Sequence, residues 1–307
     1  MKRILLSHIV VSFSLVACNH TTAMPGLTAS PNNIIAPTWT SQAPVITLTS
    51  TATPALALTS NPTVTVVASV SLQGERTIGA YIIYWQQVTD SLYPTVTIST
   101  TDQVPVQVES VSRLDELTGK DITGEGHPDV IIEAFSGGAH CCFTYYVYDL
   151  GPQLTKVLES PTYDCPGTFQ DLDGDHIFEF VTCDDIFPYE YCAFAFSPMP
   201  TVIYRYESEK GYLPASPDFA EQYTDDIARD TKLAVTAQPG GSGEWDGTTK
   251  CSVLPLVLDY LYSGQPNEAW AALRYYYKYS DLEAFQAEIE KRVKESSKFV
   301  PPPPSSP

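Results

Sequence analysis

The sequence predicts a mainly β body of antiparallel sheets followed by a helical region. Three observations carry this. Short runs of β-branched and aromatic residues, separated by turn formers, fill residues 63–215. After Ser216 and Pro217 the apolar spacing changes to that of helices. The charged part of the chain also starts late, because no Asp, Glu, Lys or Arg lies between Arg3 and Glu75.

The N-terminal stretch reads as an export signal. Lys2 and Arg3 precede an apolar run from Ile4 to Val16, interrupted only by Ser7, His8, Ser12 and Ser14. That run is too short to span a bilayer but suits a signal-peptide core. It ends in Leu15, Val16, Ala17 and Cys18, which resembles the bacterial lipobox. The resemblance implies a signal peptide over 1–17 and a lipid on Cys18. The expected location is the outer face of a bacterial membrane, held there through that lipid. Residues 18–62 are dominated by Ser, Thr, Pro and Ala and read as an extended linker. Residues 299–307 form a proline-rich tail.

Charge narrows the partners. All 36 acidic residues lie from Glu75 onward and face 15 of the 17 basic ones, a net charge of −21 for the body. Nucleic-acid binding needs a basic patch, so it is excluded as a function class. Cations and basic partners suit such a surface.

The strands read as VTVVASVSL, AYIIYWQQV, TVTIST, VPVQVESV, DVIIEAF, FTYYVYDL, FEFVT and TVIYRYES. The helical region spans 216–298. Ser216 with Pro217 opens it, residues 239–247 form a loop, and Gly264 stops a helix over VLPLVLDYLYSG. Asn267 is expected to cap the next helix, and Ser280 with Glu283 to form a capping box for the last. Leu282, Phe285, Ile289 and Val293 fall on one face of that last helix. Tyr275, Tyr276, Tyr277 and Tyr279 read as helical core and rim, with a carbohydrate-stacking surface as the alternative.

Two acidic loops carry the strongest chemical signal. Asp121, Thr123, Glu125 and Asp129 occupy positions 1, 3, 5 and 9 of the first. Asp171, Asp173, Asp175 and Glu179 occupy the same positions of the second, fifty residues on. Position 7, His127 or Ile177, offers a backbone carbonyl. A tight turn lets alternate side chains converge, and calcium takes six to eight oxygens at flexible geometry. An EF-hand is disfavoured, because its twelfth position would be Ile132 or Thr182.

These loops resemble those of the FG-GAP and VCBS repeat family, over about residues 115–210. The resemblance implies blades of an integrin-like β-propeller with calcium in the loop between strands. Gly124, Gly126 and Gly174 match its turn glycines, while Thr123 departs from a carboxylate or amide and His176 from the second glycine. His is enriched at positive φ, so the turn can survive it. The expected fold is therefore a set of blade-like antiparallel sheets, partly propeller-like, with a β-sandwich as alternative. One or two calcium ions are expected, the tighter at the second loop. SLQGERTIG at 71–79, with Gly74 and Glu75 in step, reads as a decayed third copy.

Beyond Cys18 there are six cysteines: Cys141, Cys142, Cys165, Cys183, Cys192 and Cys251. An even number in an exported chain reads as disulfides. Cys183 with Cys192 can close a local hairpin, Cys251 is expected to tie the helices to the β-domain, and Cys141 and Cys142 to pair outward. The run SGGAHCC at 136–142 also allows a hydrolase with His140 as base and Cys141 or Cys142 as nucleophile. Adjacent strand residues point to opposite faces, which weighs against it. The leading reading is a non-catalytic surface lipoprotein that binds a protein or glycan outside the cell, its helices capping a sheet edge. The alternatives are that hydrolase and a structural envelope component.

Overall fold

The structure, a computed structural model, describes residues 73–87, 89, 91–138, 142–237 and 247–301. The residues read as signal peptide (1–17), Cys18, those read as linker (18–62), the strand read at 64–72 and residues 302–307 of the proline-rich tail lie outside the described residues, as do His140 and Cys141.

Twelve described strands form three four-stranded antiparallel sheets, each a meander in chain order and none closed. The first sheet holds β1 (Gln73–Ile78), β2 (Tyr81–Gln87), β3 (Pro94–Thr100) and β4 (Gln103–Val108). The second holds β5 (Val111–Leu114), β6 (Asp129–Phe135), β7 (Phe143–Leu150) and β8 (Leu154–Glu159). The third holds β9 (Thr168–Gln170), β10 (Glu179–Cys183), β11 (Thr201–Glu207) and β12 (Gly211–Pro214). These are the blade-like sheets expected, and there are three of them rather than the two of a sandwich.

Alternation along the strands sets how the sheets stack. On β6, Val130, Ile132 and Ala134 join a core shared with the first sheet, where Ile83, Val96 and Ile98 lie. Ile131 points the other way and joins Tyr145, Phe180 and Tyr204 in a core shared with the third sheet. The second sheet is thus covered on both faces. This explains why β6 is buried along nearly its whole length and reads as a continuous apolar run.

The helices lie on the far side of the third sheet. A 3-10 helix (Ser216–Tyr223) leads into α1 (Thr224–Thr236), followed by α2 (Gly247–Tyr262), α3 (Pro266–Tyr276) and α4 (Leu282–Glu295). Buried α2 residues such as Val253, Val257 and Leu261 belong to the same core as β10 and β11. Val202, Ile203 and Tyr204 are consecutive on β11 and all buried, so both faces of that inner strand are covered. The helices therefore cover a sheet face rather than cap an edge. No described helix is long and apolar enough to cross a membrane.

Several local expectations are corrected. Asn267 does not cap α3, which already starts at Pro266 with Gln265 at its N-cap. α4 begins at Leu282 with Asp281 at the N-cap, one residue after the position Ser280 would set. Ser216 is not a helix cap; its hydroxyl accepts the Ile203 amide at 3.0 Å and so ties the 3-10 helix to β11. α2 starts at Gly247, inside the segment read as loop. Gly74 and Glu75 lie within β1, and the first sheet turns at Gly79, so the upstream stretch forms no third acidic loop. Gly74 instead faces Trp85, whose ring would sit 2.4 Å from a Cβ there.

Other expectations hold. Gly264 follows α2 at φ 78°. Phe285, Ile289 and Val293 are buried on one face of α4, with Leu282 packed against the same core. Tyr277 and Tyr279 are core while Tyr275 is exposed. Cys192 pairs with Cys251 and ties α2 to the β-domain. Cys183 pairs with Cys165, not with Cys192. Cys142 is disulfide-bonded as well.

Candidate metal centre

The two acidic loops occupy the same place in consecutive sheets, between first and second strands: the first joins β5 to β6 and the second β9 to β10. Their backbones are built by the same hydrogen bonds. Position 1 accepts the amide of position 4: Gly124 to Asp121 at 2.7 Å, Gly174 to Asp171 at 2.8 Å. It also accepts the amide of position 6: Gly126 to Asp121 at 2.9 Å, His176 to Asp171 at 3.2 Å. Position 9 accepts the amide of position 2: Ile122 to Asp129 at 2.8 Å, Leu172 to Glu179 at 2.9 Å. These bonds require positive φ at positions 4 and 6. Gly124, Gly126, Gly174 and His176 supply it at 74°, 85°, 81° and 70°. His176 thus does the work of the glycine it replaces.

The side chains then diverge. In the second loop Asp173 accepts the Asp175 amide at 3.3 Å and Asp175 the Ile177 amide at 2.7 Å. Both stay over the turn, and carboxylate oxygens of Asp171, Asp173 and Asp175 all lie within 4.8 Å of one another, a group that could hold a metal ion. Glu179, at position 9, stands outside that group of three. One of its oxygens holds Leu172, while Oε1 is buried without a hydrogen-bond donor. Burial raises the Glu179 pKa, and the charges of Asp173 and Asp175 raise it further.

In the first loop the ligand positions are drawn apart. Thr123 donates its hydroxyl to Asp129 at 3.2 Å. Glu125 turns away to accept the Tyr206 hydroxyl of β11 at 3.0 Å. Hydrogen bonds from Ser208 and Tyr206 hold its carboxyl below the usual range. Asp129 is fully buried, and its Oδ1 has no donor among the described residues. Burial pushes it up to about 7. The His127 side chain sits 3.4 Å from Asp149.

Asp149 is the residue that sequence spacing misses. It lies on β7 directly opposite Asp129, which brings a further carboxyl to the first loop. Burial raises its pKa, against the opposing pull of His127, and Glu125 and Asp121 add to the rise. Only the β6–β7 register reveals it.

The two loops also touch. The Phe178 amide donates to the Ile122 carbonyl at 2.8 Å. Ile177 lies against Gly124, with Cγ1 3.0 Å from where a Cβ would stand. Tyr212 then donates to the Phe178 carbonyl at 3.1 Å. The second loop is therefore part of the seam between sheets two and three.

No family model matches the chain, and no solved structure matches it. An uncharacterized protein of Sinorhizobium fredii, y4bJ, is 32% identical over 90 residues. The match covers 27% of this chain and 13% of that protein, so the chain spans only a small part of its relative's length.

Proposed function

We propose that this chain is an exported, lipid-anchored and non-catalytic surface protein whose second acidic loop binds calcium. The observation that carries the reading is the convergence of Asp171, Asp173 and Asp175 over one turn. Glu179, with a buried oxygen lacking a donor, fits the same role. The donor set is all oxygen, which suits a hard cation. Asp171, Asp173, Asp175, Glu179 and the Ile177 carbonyl would hold the ion. Bound calcium would supply charge neutralisation and a rigid cross-link where three aspartates converge over one turn. The first loop, with Asp121, Thr123, Glu125, Asp129 and the His127 carbonyl, would be the weaker of two sites, because Glu125 is held by Tyr206.

Display supports the rest of the reading. A lipid on Cys18 and a long Ser/Thr/Pro-rich linker would lift an acidic body away from the membrane, towards a protein or glycan partner. The hydrolase alternative is weakened, because one of its two thiols, Cys142, is disulfide-bonded.

The test is calorimetric titration of calcium into the metal-stripped mature protein. One tight site in the wild type, lost in Asp173→Ala and kept in Asp121→Ala, is the expected result. No binding at millimolar calcium would refute the assignment. For the anchor, Cys18→Ala should release the protein from membranes, and unchanged membrane retention would contradict it.

A further inference from the structure

Away from the acidic loops, a cavity of roughly 490 Å³ opens where the first and second sheets part. Strand register explains it. Gly74, Trp85, Val96 and Val108 form one row across the first sheet, and Arg76, Ile83, Ile98 and Val106 form the next. Ile83, Val96 and Ile98 are buried in the core shared with the second sheet. Towards β1 that cover gives out, so Trp85 is half-buried and Arg76 exposed. The facing wall is β5, the edge strand of the second sheet, with Arg113 and the Asp115 and Glu116 that follow the strand.

The indole is positioned by a missing side chain. It lies over Gly74, its partner on β1, where a Cβ would come within 2.4 Å of Cζ2 and 2.6 Å of Cε2. The ring settles on the strand there and lines the cavity. Around it stands a polar rim. Arg113 is fixed by Glu133 at 2.6 Å and stands 3.7 Å from Asp115, which leaves further guanidinium donors open. Arg76 and Glu116, both exposed, have no hydrogen bond or ion pair among the described residues. Arg76 and Arg113 balance Asp115 and Glu116, so this rim is neutral on a body of charge −21.

The choice of occupant follows from the wall. A rim that offers donors and acceptors without net charge favours neither cations nor anions. It matches hydroxyls, each of which donates and accepts. The indole requires that the same molecule carry an apolar face. A pyranose has both, with C–H groups on one face and hydroxyls around its edge. We propose that this cavity binds a pyranose unit of a neutral glycan, stacked on Trp85 with its hydroxyls on Arg76, Arg113 and Glu116. The glycan is one of the partners left open in the surface-protein reading, on which this site rests; the calcium loops take no part in it.

The test is saturation-transfer NMR on the purified protein, in calcium and again in EDTA. The probes are the methyl glycosides of glucose, galactose, mannose and N-acetylglucosamine at millimolar concentration, with glucuronate as the anionic counterpart. The expected result is transfer to the ring protons of at least one neutral glycoside in both buffers, abolished in Trp85→Ala. Arg76→Ala, at an exposed position, should weaken binding about fivefold, and it serves if Trp85→Ala does not fold. Tyr275→Ala, at the exposed tyrosine of α3, should bind as the wild type does. The proposal is overturned if no neutral glycoside receives transfer, if glucuronate alone does, if binding is lost in EDTA, or if Trp85→Ala and Arg76→Ala both bind as the wild type does. Failure of calcium binding or of the Cys18 anchor would show in their own assays, with glycoside binding intact.

Discussion

Replacing Phe180 with alanine removes the ring at the centre of the seam that joins the second and third sheets. Phe180 is fully buried, with Tyr145 and Phe169 ring centroids each 4.9 Å away and Tyr204 at 5.8 Å. Truncating a buried Phe costs about 3–5 kcal/mol, and each aromatic pair adds about 0.5–1.5 kcal/mol. The site has little freedom to collapse. Gly167 passes so close that a Cβ there would meet the ring at 2.3 Å, and that segment is pinned by the Cys165–Cys183 bridge. The expected loss is therefore about 5 kcal/mol. In urea, with calcium constant and disulfides intact, a slope of about 3 kcal/mol per molar puts the midpoint about 1.7 M lower. Leu92→Ala is the control. Leu92 is 86% exposed, so its truncation should change stability by less than about 0.5 kcal/mol. A Phe180→Ala loss below about 2 kcal/mol would refute the packing of this seam.

Three further predictions follow from other parts of the fold. The Cys192–Cys251 bridge spans 59 residues and the Cys165–Cys183 bridge 18. By loop closure their removal as Ser pairs should cost about 4 and about 3 kcal/mol, and urea midpoints in the opposite order would contradict that account. His176→Gly should gain about 0.5–1 kcal/mol in EDTA, since His176 pays for a positive φ that glycine adopts freely; a loss would mean its ring matters to the turn. Burial and the neighbouring Asp230 push Asp259 from 3.8 up to about 8. A raised acid pKa lets the wild type match Asp259→Asn at pH below 4 and fall behind as pH rises towards 8. Melting curves across that range check it, and a gap that does not widen with pH would count against the shift.

Much of this was legible in the sequence because it depends on local pattern. Alternation marks strands such as β6 and β7, and the i, i+3, i+4 spacing of Leu282, Phe285, Ile289 and Val293 marks α4. The acidic loops show themselves because position 1 and position 9 must accept amides at fixed spacing. What depends on three-dimensional register stays hidden. Asp149 joins the first loop only through its pairing with Asp129. Glu125 leaves that loop because Tyr206, 81 residues on, offers it a hydroxyl. The helix starts stay hidden too: Asn267 and Ser280 are good caps in isolation, yet α3 begins at Pro266 and α4 at Leu282. The pairing of Cys165 with Cys183 likewise needs the end of β10 beside the segment before β9.

The most direct test of the central claim is thermal unfolding of the oxidised protein, in calcium and then in EDTA, for wild type and Asp173→Ala. At a hundredfold excess of calcium over its dissociation constant, linkage supplies about 2.7 kcal/mol. For a body of this size that is a rise of about 5–10 °C in the wild type. The account predicts that rise, and predicts that Asp173→Ala loses most of it. Equal melting temperatures in calcium and EDTA, with no calcium in the purified protein by elemental analysis, would contradict it.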